Sequence, residues 1–235
     1  MTNLNVELKR FDSAQALESE VASDIASQLA LAISARGEAG LLVSGGHSPA
    51  GLFEQLRRRV LDWSRVSIAL VDERWVEPTD PGSNERFLRD TLLRDGAAAA
   101  RFSGLKNPAP SPDLGAAAAW NVSARIPRPV DVTVLGMGDD GHTASLFPGS
   151  PNLESALDLE TPEGYIGMWS PSAPPARLSL NLRALLDSRR ILILILGEAK
   201  LRTYAAACSP GPVEEMPVRA VLRQQRVPVE VVWAP

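Results

Sequence analysis

Cysteine is almost missing from this chain: Cys208 is the only one among 235 residues. A single thiol excludes an internal disulfide and a cysteine-based metal cluster, and it suits a reducing compartment. Long hydrophobic runs are lacking as well. The longest strongly apolar stretch, Ile191–Leu196, is far shorter than the roughly 20 residues that span a bilayer. Met1 is followed by Thr2-Asn3-Leu4-Asn5, with no cationic segment leading into an apolar run, so no signal peptide is visible. Membrane association is not expected, and the cytoplasm is the expected location. Charge excess is also small, 24 Lys and Arg against 28 Asp and Glu, a net −4. A mildly acidic chain has no general attraction for nucleic acid or anionic membrane. An anionic ligand would have to be held by locally placed cations and backbone amides.

What is present is an ordinary globular composition, 45% apolar and 22% charged. Leu17, Val21, Ile25 and Leu29 recur at helical spacing and share one face of a helix that ends near Gly37. Short apolar runs follow at 40–43, 66–71, 131–135, Ile191–Leu196 and 229–233, with a weaker one at 178–180. A helix is expected from near Asn84 through Leu93, and the three prolines within 107–113 mark a surface loop. Near-continuous apolar strands separated by helices predict an α/β fold: a mainly parallel central sheet flanked by helices on both faces, Rossmann-like and three-layered. Neither a repeat nor a linker interrupts it, so residues 1–235 are expected to form a single domain. In such sheets ligands bind outside the carboxyl ends of the strands.

Three strand ends carry unusual polar sequences. The first, Ser44-Gly45-Gly46-His47-Ser48-Pro49, joins a strand to a helix. Its glycines let the backbone approach a ligand, and a helix start presents unpaired N–H groups to an anion. Ser44 and Ser48 add hydroxyl donors, and His47 either adds a cationic contact or faces solvent. The second is Asp72-Glu73-Arg74-Trp75-Val76, with Ser83-Asn84 at the next helix start. Adjacent carboxylates and an arginine are costly to bury without a task. Arg74 can fork onto an oxyanion. Asn84 reads first as a helix N-cap and second as a ligand contact.

The third runs Leu135-Gly136-Met137-Gly138-Asp139-Asp140-Gly141-His142-Thr143-Ala144-Ser145-Leu146-Phe147-Pro148. Its glycines, Gly138 among the candidate ligand contacts, bring Asp140 and His142 to a strand end. Histidine titrates near neutrality and is the natural general base, and a carboxylate beside it fixes its tautomer. The chain has only two histidines, and both lie in these glycine loops. Gly136-x-Gly138-x-x-Gly141 also matches the dinucleotide fingerprint, but no acidic residue follows about twenty positions on at the end of a second strand. There is no P-loop lysine, no Gly-x-Ser-x-Gly elbow and no zinc-ligand spacing.

Taken together, the three loops resemble the 6-phosphogluconolactonase family, which is related to glucosamine-6-phosphate isomerase/deaminase. The last loop is the most specific of the three. Pro174-Pro175-Ala176-Arg177 and Gly197-Glu198-Ala199-Lys200 extend the resemblance, which covers the chain from about residue 10 onward. The resemblance implies hydrolysis of 6-phospho-D-glucono-1,5-lactone to 6-phosphogluconate, without metal or organic cofactor, by a monomer or small homo-oligomer whose partner is a phosphorylated sugar lactone. It places Arg177 and Lys200 beside the phosphate, His142 as base oriented by Asp140, Arg74 at the developing oxyanion, and Asp72 as an organiser of the loop. The deaminase branch carries a tyrosine after the Asp-Glu pair and a catalytic glutamate five residues after the loop histidine. Here those positions are Arg74 and Phe147. A non-catalytic sugar-phosphate sensor is the alternative from another class, against which Asp140 and His142 argue.

Overall fold

The computed structural model describes residues 6–169 and 176–235. The chain runs β1 (Val6–Arg10), α1 (Ala14–Arg36), β2 (Ala39–Val43), α2 (Ala50–Leu56), β3 (Val66–Leu70), β4 (Asp72–Arg74), α3 (Asn84–Thr91) and β5 (Arg101–Phe102). It continues through α4 (Pro112–Ser123), β6 (Val132–Leu135), α5 (Leu153–Leu157), β7 (Tyr165–Met168), β8 (Arg177–Leu180), α6 (Leu182–Leu186), β9 (Ile191–Leu196), α7 (Gly197–Cys208), α8 (Val218–Arg223) and β10 (Val229–Ala234). The expected helical stripe holds: Leu17, Val21, Ile25 and Leu29 are all buried on α1, each worth about 1.5–3 kcal/mol of apolar burial. Ser13 caps that helix by accepting from the Ala16 N–H at 3.2 Å, and Gly37 ends it at φ 84°, a left-handed conformation suited to glycine.

Seven strands form one wholly parallel sheet in the order β1-β10-β9-β6-β2-β3-β5. Every residue of β2, β3 and β6 is buried, so helices cover both faces at the centre. From β2 the chain builds outward through β3 to β5, then returns to the opposite side of β2 with β6 and builds outward again. The reversal falls between β2 and β6, whose following segments carry the first and third glycine-rich loops. This is the position where open α/β sheets leave a crevice for ligands.

A second sheet departs from the expected pattern. The weak strand at 178–180 does not join the parallel sheet. It is the middle of an antiparallel trio, β4-β8-β7. Within two residues of the end of β3 the chain switches sheets, and Asp72, Glu73 and Arg74 pair with Ser179, Leu178 and Arg177. The Leu180 N–H donates to the Val71 carbonyl at 2.8 Å and the Tyr165 hydroxyl donates to the Leu70 carbonyl, joining the small sheet to the end of β3. The proline-rich loop is also shorter than expected, since Ser111 caps α4 and Pro112 already lies in its first turn. Among the described residues, no helix is long and apolar enough to cross a membrane.

Asp131, just before β6, is buried and holds the opposite end of the sheet together. It accepts from the Gly40 N–H at 2.9 Å and from Arg36, with Arg189 Nε 3.5 Å away. Asp131→Ala leaves a buried N–H without its acceptor, at a cost of about 1–3 kcal/mol. At this chain length that corresponds to a fall in melting temperature of roughly 2–4 °C per kcal/mol. Thermal melts of the variant check this, and an unchanged midpoint would contradict it.

Candidate active site

The three loops meet over the carboxyl ends of β2, β3 and β6. In the first, Gly46 adopts φ 100°, open only to glycine without strain. Gly45 lies against Asn84 so closely that a Cβ there would stand 2.0 Å from Asn84 Oδ1. The Ser44 N–H donates to the Val134 carbonyl at 2.9 Å, which fixes the loop to β6. Ser44 Oγ is buried and has no hydrogen-bond partner among the described residues. Ser48 is half-buried and His47 is exposed. Pro49 is the N-cap of α2 and lies one residue before its first turn.

In the second loop Glu73, 1% exposed, is the anchor. Its Oε1 accepts from the N–H groups of Arg74 at 2.8 Å and Asn84 at 2.7 Å. Its Oε2 accepts from the Glu85 N–H at 2.8 Å and the Ser83 hydroxyl at 3.0 Å. Burial pushes the Glu73 carboxyl above its ordinary value, while these four donors oppose that rise. The carboxylate thereby closes the N-terminus of α3. Asn84 is not the cap expected of it. Ser83 is the N-cap, accepting from the Arg86 N–H, which leaves the Asn84 side chain for the site. Asn84 Oδ1 accepts from Arg74, and its Nδ2 donates to the Asp72 carbonyl at 2.8 Å. Asp72 is buried and reaches the third loop, where its Oδ2 accepts from the Ser145 hydroxyl at 2.6 Å.

The third loop folds back on itself. The Gly138 N–H donates to the His142 carbonyl at 2.8 Å, and Gly141 turns the chain at φ 77°. Asp140 Oδ1 lies 2.6 Å from His142 Nδ1 and 3.0 Å from the His142 N–H. Burial pushes the Asp140 carboxyl up, but the two N–H groups of His142 and their electrostatic attraction outweigh it. They hold Asp140 below its ordinary value. An ionised carboxylate only accepts, so the shared proton sits on Nδ1, and in the neutral form of the ring the lone pair is on Nε2. Ala144 adopts φ 49°, a left-handed conformation unusual for a residue with a side chain. Phe147, 3% exposed, lies between two groups of the site. Its ring centroid is 4.5 Å from that of His142 at 48°, and the Arg177 guanidinium lies 5.1 Å from it.

Cations gather on the same side. Arg74 and Arg177 are register partners on β4 and β8, an arrangement that repels unless an anion lies near. Burial pushes the Arg177 guanidinium down, Asp72 and Glu73 oppose that, and Arg74 adds to it. Its Nε is buried without a partner among the described residues. Lys200 projects from the first turn of α7 and pairs with Asp139 at 2.8 Å. Every residue expected from sequence except Asp140 lines one cavity of about 220 Å³, and Asp140 touches it through His142. Pro49, Gly136, Met137 and Ala144 line it too and were not singled out. Their signal was only their place inside the glycine loops. Of the further resemblance, Pro174 and Pro175 lie outside the described residues.

Comparison with known proteins matches residues 12–233 to the family described as glucosamine-6-phosphate isomerases/6-phosphogluconolactonase. The chain belongs to that family. It is 46% identical over 225 residues to the 6-phosphogluconolactonase of Rhizobium meliloti, covering 96% of this chain and 97% of that one. It is 44% identical over 215 residues to that of Pseudomonas aeruginosa, covering 92% and 89%. A crystal structure of a 6-phosphogluconolactonase from Shewanella baltica superposes with a TM-score of 0.95 at 46% identity, covering 98% of each chain.

The depressed Asp140 value has a pH consequence. A carboxylate whose folded value lies below its unfolded one stabilises the fold fully above about pH 4, and the contribution disappears as pH falls through the folded value. Asp140→Asn is therefore expected to melt slightly below the wild type at about pH 6, with the gap closing toward about pH 3. Melting curves across that range check it, and a gap independent of pH would contradict it.

Proposed function

We propose that this chain hydrolyses 6-phospho-D-glucono-1,5-lactone to 6-phosphogluconate, with His142 as the general base. The observation that carries the reading is the 2.6 Å contact between Asp140 and His142 at the wall of a cavity that Arg74, Arg177 and Lys200 also line. The named activity of the relatives at 46% and 44% identity supports the substrate.

In this mechanism His142 Nε2 takes a proton from water as the water oxygen bonds to the lactone carbonyl carbon. Negative charge develops on the carbonyl oxygen, and Arg74, held by Asn84 Oδ1, is the group suited to stabilise it. The tetrahedral intermediate collapses by breaking the bond to the ring oxygen, which takes back the proton from His142. The product carboxylic acid then ionises. Asp140 keeps Nδ1 protonated and supports the imidazolium that forms between the two proton transfers. Asp72 carries no proton in this scheme: it ties β4 to the third loop through Ser145. The phosphate is assigned to the backbone of 44–48, including Gly45 and Gly46, with the hydroxyls of Ser44 and Ser48 and the charges of Lys200 and Arg177. Ser44 Oγ and Arg177 Nε, both buried without partners among the described residues, support that assignment. His47 and Gly138 complete the wall.

A deaminase reading lacks its proton carrier, since Phe147 sets a tilted apolar ring against His142 in place of the glutamate of that branch. The direct test follows lactone hydrolysis by purified protein with excess chelator present and spontaneous hydrolysis subtracted. Clear acceleration is expected, and His142→Ala should lose about 10²–10⁴-fold of it with an unchanged unfolding midpoint. A folded His142→Ala protein with near-normal turnover would remove His142 from the role of base. A folded wild type without acceleration would overturn the activity itself.

A further inference from the structure

Asp139 adjoins the dyad and is absent from the mechanism above. Its carboxylate reaches across to α7 and pairs with Lys200 Nζ at 2.8 Å. The two ends of this pair differ in setting, for the Lys200 side chain is 24% exposed and that of Asp139 83%. Lys200 belongs to the first turn of α7, where the helix dipole disfavours a cation. Leu196 at the N-cap gives that helix end no side-chain acceptor. A lysine there, with its ammonium at the wall of the cavity, is stabilised by a nearby anion. Asp139 is that anion.

We propose that Asp139 is a built-in competitor that occupies Lys200 until a phosphate dianion displaces it. The inference rests on the reading that Lys200 receives the substrate phosphate. A carboxylate brings a single charge, whereas a phosphate monoester brings about −1.5 to −2 and three strong acceptor oxygens. The exchange therefore runs toward the phosphate, but at the cost of the Asp139 pair, so Asp139 lowers the affinity of any anion that binds through Lys200. Because Asp139 is exposed and its pair is screened by water, it weakens binding by no more than about fivefold. Displacement leaves Asp139 free in solvent, so no buried charge is stranded.

A double-mutant cycle on KM for the phosphorylated lactone tests this. Asp139→Asn is expected to lower KM about two- to fivefold with kcat unchanged, and to strengthen competitive inhibition by inorganic phosphate by the same factor. Lys200→Ala alone is expected to raise KM, and adding Asp139→Asn to it should change nothing further. An unchanged KM in Asp139→Asn overturns the proposal. An equal fall in KM with and without Lys200 also overturns it, by showing a general charge effect that does not act through Lys200. An unchanged KM in Lys200→Ala has a different meaning, removing the phosphate role of Lys200 and this inference with it.

Discussion

Asp140 and His142 meet across a turn whose other side is the backbone of Gly138, and the space between is smaller than a methyl group. A Cβ on residue 138 would stand 2.1 Å from His142 Nδ1 and 2.6 Å from Asp140 Oδ1. Gly138 is absent from the residues of positive φ, so the constraint is steric and not conformational. The same residue donates its N–H to the His142 carbonyl, closing the turn from the opposite direction. Proton on Nδ1, lone pair on Nε2 and ring at the cavity wall all follow from this contact. Phe147 then fixes the tilt of the ring from behind.

The surrounding structure keeps that turn in register with the other two loops. β2 and β6 are neighbours at the point where strand order reverses, so their loops emerge side by side. The switch of sheets after Val71 carries Asp72, Glu73 and Arg74 out of the parallel sheet and onto β8, opposite Arg177. Glu73 accepts three of its four hydrogen bonds from the start of α3 and the fourth from Arg74, which frees the Asn84 side chain to position Arg74 and Asp72. Asp72 in turn holds Ser145 of the third loop. Arg74 is thus held by buried Asn84 and the third loop by buried Asp72, the condition for groups that do not need to reorganise during reaction.

The parallel sheet was legible because its central strands are buried on both faces and read as unbroken apolar runs. β1 was not: its residues Val6-Glu7-Leu8-Lys9-Arg10 alternate and lie at the edge, half exposed. α4 was obscured by the prolines before it and by an alanine-rich stretch with little amphipathic contrast. The antiparallel trio left almost no signal, since Asp72-Glu73-Arg74 has no apolar pattern and its pairing partner lies a hundred residues away. The same division holds in the site. Glycine loops announced Ser44, Gly45, Gly46, Asp140 and His142, the polar strand end announced Asp72, Arg74 and Asn84, and the resemblance supplied Arg177 and Lys200, but long-range pairing hid how they meet. Neither the facing of Arg74 and Arg177, nor the release of Asn84 by Ser83, nor the Asp139–Lys200 pair is written in local spacing.

The contact of Asp140 with His142 depends on the space at residue 138. Gly138→Ala adds one methyl group at a backbone conformation that alanine can adopt, so turnover and stability can be read separately. The expected result is a loss of kcat of at least about 100-fold, with the unfolding midpoint little changed and the protein folded. Wild-type turnover in a folded Gly138→Ala protein would contradict the claim that the contact of Asp140 with His142 carries the chemistry.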